Sequence, residues 1–281
     1  MNTPIRFDVE AGGHLGYVFA SRRPAGDGSG ASESGEGNQS GGPAKAARAV
    51  VLIHGIGASH RYLRRLHGLL AESADTYSID LPGFGATPRP EHALTVADHA
   101  TYIAGAMEQL GVLEFVIVGH SMGAQFAIEA ALRQPGRIPH VVLMGPVVDS
   151  KRRTVTRQAL ALGLDSLCFE TPSSNFLVFT DYFRCGPAWY LETLRVMMDY
   201  PTAERITGVT APVLVLRGAR DPVATSDWCR RLAGRATTGR LLEIRGTGHV
   251  VQHNRAVEVA GAITSFAGLP GAKEAPKEFR A

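Results

Sequence analysis

The run Ala49-Val-Val-Leu-Ile53 constrains the fold more than any other stretch of the chain. Five consecutive apolar residues without polar alternation make a stable strand only where both strand faces are covered. Similar short runs recur at 115–118, 140–144, 212–216 and 241–244, and residues 76–80 form a further strand. Between them, residues 61–73, 95–110, 122–133, 225–233 and 254–266 carry helical spacing. Thr95 followed by Asp98 predicts a capped helix start, and Gly111 its stop. Strand and helix therefore alternate, which predicts an α/β architecture with a mostly parallel sheet. Two alternating runs, 5–10 and 16–21, predict an opening hairpin turned at Ala11-Gly-Gly-His14.

Three segments depart from this rhythm. Residues 22–47 are dense in Gly and Ser with almost no large apolar side chains, the composition of a flexible insertion. Residues 150–205 are helical in pattern and hold eight of the 20 aromatic residues in a fifth of the length, as expected of a helical lid placed between two strands. Residues 268–281 are expected to form a polar, frayed tail. The expected organisation is a core of 1–149 and 206–267 carrying a cap of 150–205.

Composition removes several function classes. Twenty-nine basic residues against 26 acidic ones give a net charge of +3, too balanced for a nucleic-acid binder without a basic stretch. No segment approaches the roughly 18 apolar residues of a membrane span. The charged N-terminal residues lack the apolar run of an export signal. Cys168, Cys185 and Cys229 are too few and scattered for a disulfide framework or a cysteine-based zinc site, which fits reduced thiols in the cytoplasm.

The chemistry centres on Gly119-His-Ser-Met-Gly123. The string alone is weak evidence, but it lies between an apolar strand and a helical run, where a tight turn lifts a serine hydroxyl clear of a sheet. Glycines at 119 and 123 remove side chains that would collide there. Ser121 needs a base. His249, in Gly246-Thr-Gly-His249 directly after a strand, is favoured over His253, which is expected at the surface or facing the lid. Asp221, after strand 212–216, is the expected acid, with Asp149 as the alternative. The backbone N–H groups of Ile56, in His54-Gly-Ile-Gly57, and of Met122 are the expected oxyanion donors. His54, Asp80 and the turn Leu81-Pro-Gly-Phe-Gly85 are expected to shape loops rather than catalyse.

With these motifs together, including Gly218-Ala-Arg-Asp221, the chain resembles the α/β-hydrolase superfamily from about residue 5 to 266. The resemblance implies an eight-stranded sheet with helices on both faces and an inserted helical cap, as in capped esterases, thioesterases, lactonases and carbon–carbon bond hydrolases. Serine in the elbow speaks against the dehalogenase and epoxide hydrolase branches, which place Asp there. Thr87 stands where that family's loop often has Ser. The expected activity is hydrolysis of an ester, thioester or lactone through Ser121, His249 and Asp221, without metal or cofactor. The aromatic lid points to a small apolar or aromatic substrate, and a monomer or weak homodimer is the default. Carbon–carbon cleavage, lyase or cyclase chemistry, and ligand binding with vestigial catalysis are the alternatives.

Overall fold

The computed structural model describes residues 3–23, 49–149, 164–165, 168 and 170–271. The glycine-rich insertion from residue 24 on, the first part of the expected lid and the tail beyond residue 271 lie outside them. Eight strands form one sheet: β1 (Ile5–Ala11), β2 (His14–Ser21), β3 (Ala49–Ile53), β4 (Thr76–Asp80), β5 (Phe115–His120), β6 (Val141–Met144), β7 (Val213–Gly218) and β8 (Gly239–Ile244). Their spatial order is β1-β2-β4-β3-β5-β6-β7-β8. Only the pairs β1–β2 and β2–β4 are antiparallel.

Strands β3 and β6 and the first four residues of β5 and β7 are apolar because alternate residues feed two separate cores. Val51 and Ile53 of β3, Ile117 of β5 and Val215 of β7 face one core. Val50, Leu52, Val118 and Leu216 face the other. Helices α2 (Val96–Gln109) and α3 (Gly123–Arg133) pack on the first side. A 3₁₀ turn at His60–Leu63, α1 (Arg64–Leu70) and the C-terminal helices pack on the second. Each fully buried Val, Leu or Ile contributes about 1.5–3 kcal/mol through removal from water, so covering both faces is what holds these short strands in register.

Most expected boundaries hold within a few residues, and the differences have local causes. The hairpin closes one pair tighter, with Ala11 opposite His14 and Gly12 and Gly13 both at positive φ, the twist that a two-residue turn requires. The expected helix 61–73 divides into the 3₁₀ turn, capped by the Ser59 hydroxyl, and α1. Thr95 and Asp98 form a reciprocal capping box, and Gly111 ends α2 at φ +74°. Between β6 and β7 lie α4 (Pro172–Cys185), α5 (Pro187–Asp199) and the short α6 (Thr202–Arg205). After β7 come α7 (Ser226–Arg235) and, past β8, α8 (Val251–Asn254) and α9 (Ala256–Ala267). The single helix expected at 254–266 is thus two, because Arg255 leaves helical geometry at φ −130°, ψ 42°.

The chain runs from β3 outward to β4 on one side and returns to β5 on the other. Beyond the carboxyl ends of β3 and β5 this reversal leaves a crevice, where open α/β sheets hold their ligands.

The turn between β5 and α3 depends on its glycines. A Cβ on Gly123 would lie 2.6 Å from the carbonyl oxygens of Ile53 and His54, and one on Gly119 would strike the Gly123 carbonyl. Backbone atoms of a central strand have little room to yield. Gly123→Ala is therefore expected to cost about 2–3 kcal/mol, the upper part of the overpacking range. A urea midpoint equal to that of the parent would contradict this.

Candidate active site

Ser121 occupies the first position past β5 at φ +56°, a left-handed conformation that side-chain-bearing residues adopt at a cost of about 1–3 kcal/mol. Two backbone hydrogen bonds hold it there: the Ser121 N–H donates to the Met144 carbonyl at 2.9 Å, and the Ala124 N–H to the Ser121 carbonyl at 3.1 Å. Among the described non-glycine residues only Val148 shares a positive φ, and the Ser121 side chain is itself buried.

His249 and Asp221 meet across the ends of β7 and β8. His249 Nδ1 lies 2.8 Å from Asp221 Oδ2, and both residues are buried. Asp221 Oδ1 accepts the N–H groups of Val223 at 2.7 Å and Ala224 at 2.9 Å, which fixes the carboxylate plane. The buried Arg217 guanidinium ties the same loop by donating to the Asp221 carbonyl at 2.8 Å. Burial alone would raise the Asp221 pKa, but His249 and the two amides outweigh it and hold the carboxyl below its ordinary value. For His249, burial opposes the charge, yet Asp221, with Asp165 and Glu170 behind it, lifts the imidazole to about 9.

With Nδ1 held by the carboxylate, His249 Nε2 is buried and engages no other group among the described residues. Ser121 and His249 line one cavity of about 50 Å³, together with Gly55, Ile56, Tyr62, His120, Asp165 and three residues of α4: Asn175, Val178 and Tyr182. Ile56 therefore reaches the site, and Met122 stands at the start of α3. Among the described residues neither backbone N–H is taken up by another acceptor.

The other residues singled out in the sequence are occupied elsewhere. His54 donates from Nδ1 to the Gly55 carbonyl at 2.8 Å, and its Nε2 accepts the Leu81 N–H at 3.2 Å. Both nitrogens are committed, and burial lowers its pKa. Asp80 accepts from the His60 N–H at 2.5 Å. The Thr87 hydroxyl accepts the Phe84 N–H at 3.1 Å and lies 2.8 Å from the Leu81 and Phe84 carbonyls, so threonine serves that loop. Asp149 pairs with Arg231 at 2.7 Å. His253 is buried rather than at the surface, and its Nε2 lies 3.0 Å from Ser173 Oγ on α4.

Four further side chains converge on the site that the sequence reading passed over. The His120 Nε2–H can donate only to the His249 carbonyl, 2.9 Å away. Burial pushes His120 down to about 3, so it is neutral and its Nδ1 must accept. The Tyr62 O–H, 2.8 Å away, is then the donor, and its oxygen in turn accepts the Gly55 N–H at 2.6 Å. Carbonyl and amide ends thus fix the direction of every proton in this relay, which joins the Gly55 loop to the His249 loop. From the other side, Asp165 Oδ1 accepts the His249 N–H at 2.9 Å and Glu170 Oε1 the Val250 N–H at 2.8 Å.

A family model of the alpha/beta hydrolase family matches residues 50–262. The chain belongs to the alpha/beta hydrolase family. An uncharacterized hydrolase, YugF, of Bacillus subtilis is 35% identical over 244 residues, covering 77% of this chain and 89% of the relative. A 2-hydroxy-6-oxononadienedioate/2-hydroxy-6-oxononatrienedioate hydrolase of Pseudomonas putida is 24% identical, covering 78% and 87%. The enol-lactonase of Burkholderia xenovorans superposes with a TM-score of 0.75 at 19% identity, over 93% of this chain and all of that one. At that identity the likeness shows the fold. In this alpha/beta hydrolase Ser121 stands immediately past the fifth strand in chain order. Among the described residues, no helix is long and apolar enough to cross a membrane, and no group of three or more His, Cys, Asp or Glu is disposed to hold a metal ion.

Proposed function

We propose that this alpha/beta hydrolase is a serine hydrolase that cleaves an ester-like bond, an ester, thioester or lactone, in a small apolar or aromatic substrate. The observation that carries this reading is the shared cavity: a serine held on a strained turn and an imidazole with one nitrogen fixed by a buried carboxylate and the other unengaged. In this reading His249 Nε2 takes the proton of Ser121 as Oγ attacks the acyl carbonyl, then gives it to the leaving group. Asp221 holds the tautomer with hydrogen on Nδ1 and stabilises the imidazolium. The N–H groups of Ile56 and Met122 stabilise the oxyanion, and water activated by His249 releases the acyl group. Helices α4 and α5, which fall within the expected cap of 150–205, act as its described part.

A reaction of this kind predicts a distinctive acid limb. Nε2 accepts a proton only while the imidazole is neutral, and Asp221 raises the His249 pKa above the ordinary value near 6.5, to about 9. Activity is therefore low where His249 is charged, and kcat/KM climbs with pH through that value before levelling. A limb centred at or below 6.5 would contradict the assignment.

The direct test is intact-mass analysis after a fluorophosphonate, with peptide mapping. A single adduct on Ser121 supports the reading and justifies a screen of p-nitrophenyl esters, thioesters and lactones. A folded protein that takes no adduct refutes it. Carbon–carbon bond cleavage is the second reading, favoured by the Pseudomonas putida relative, and a vinylogous 1,5-diketone acid belongs in the same screen.

A further inference from the structure

The charge inside the cavity bears on which acyl groups the site accepts, an inference that rests on the serine hydrolase reading. Among the described residues that line the cavity there is no Arg and no Lys. Arg61, which precedes the lining residue Tyr62, is committed to Asp181 at 2.8 Å. The lining includes instead one carboxyl group besides the reacting residues, that of Asp165, only 2% exposed. Its Oδ1 is fixed 2.9 Å from the His249 N–H, so the carboxyl is anchored beside the imidazole. Two further carboxylates stand behind, Asp221 on His249 and Glu170 on the Val250 N–H. Among the described residues of the cavity wall, His120 is held neutral by burial and His249, already paired with Asp221, is the one that carries positive charge.

We propose that Asp165 makes this site selective for uncharged acyl groups and excludes substrates that carry a carboxylate on the acyl chain. A second anion within about 5 Å of Asp165, at the effective dielectric of roughly 20 that suits protein sites, is disfavoured by about a hundredfold. A neutral chain of the same length meets the apolar surface of Val178, Ile56 and Tyr182 and incurs no such penalty. Burial raises the Asp165 carboxyl to about 7, against the opposing pull of His249, so at pH 8.5 the carboxyl is ionised. His249, at about 9, still carries part of its charge there, and the selectivity grows further as the pH rises past that value.

The test pairs ethyl butyrate with monoethyl succinate, acyl chains of equal reach that differ in a terminal methyl or carboxylate. Each is used at pH 8.5 to protect Ser121 from a neutral fluorophosphonate, and the half-protecting concentrations are compared. Labelling of the parent without competitor tests the serine hydrolase reading by itself. Given labelling, monoethyl succinate is expected to need about a hundredfold higher concentration than ethyl butyrate. Asp165→Asn, which keeps an oxygen for the His249 N–H, narrows that ratio at least tenfold, and Asp165→Ser serves as a second variant that removes the charge. Glu258→Gln, which removes an exposed carboxylate of α9 that pairs with Arg255 and is not a group of the cavity, leaves the ratio at its parental value. A purely structural Asp165 changes protection by both esters in parallel. Equal protection of the parent by both esters, protection by neither, or a ratio untouched in the Asp165 variants overturns the proposal.

Discussion

Replacing Ser121 with Ala is expected to lower kcat by about 10⁴–10⁶-fold while leaving the fold intact. The size follows from how serine triads behave: removing the nucleophile costs nearly as much as removing the whole triad, and what survives comes from the oxyanion donors and binding. The fold survives because the elbow is held by backbone groups. The Ser121 N–H bond to Met144 and the Ala124 N–H bond to the Ser121 carbonyl do not involve the hydroxyl. Steady-state rates on whichever ester the screen yields, with a urea unfolding curve, check both halves. Turnover within tenfold of the parent would falsify the nucleophile assignment.

Asp221→Asn carries the second large effect, about 10⁴-fold in kcat. The asparagine fits the site and its oxygen can still accept the Val223 and Ala224 amides. Its NH₂ then faces His249 Nδ1, which must accept, and the proton is forced to Nε2. The imidazole meets Ser121 with a donor where an acceptor is needed. Loss of the carboxylate also removes the main force that raises the His249 pKa, so the acid limb of the residual activity moves to lower pH. Asp149→Asn provides the contrast, because Asp149 faces Arg231 and not the histidine. If the Asp149 variant lost the activity and the Asp221 variant kept it, the acid would have to be reassigned.

The parts of this site that can be read from sequence are those set by short-range rules. A buried strand announces itself as an unbroken apolar run, as at Ala49–Ile53, and a turn that must pass close to backbone requires glycine, as at Gly119 and Gly123. Ser121, Asp221 and His249 each follow a strand by a few residues, so locating the strands locates them. Asp165, Glu170, Tyr62 and His120 leave no such trace. The Asp165 contact with His249 spans 84 residues of chain and the Tyr62 contact with His120 spans 58, and an acid or tyrosine in a helical segment has many ordinary uses. The break at Arg255 is equally silent, because nothing in that residue's own propensity stops a helix.

The two carboxylates that grip the His249 and Val250 amides have a consequence for how the base is held. Hydrogen bonds from backbone N–H to an ionised acceptor are worth about 1.5–3 kcal/mol each. Residues 165 and 170 cannot lift away from the sheet without surrendering both. In the proposed mechanism the backbone that carries the base is therefore held by side chains from a different stretch of the chain, so substitutions at 165 or 170 reach the imidazole without touching its ring.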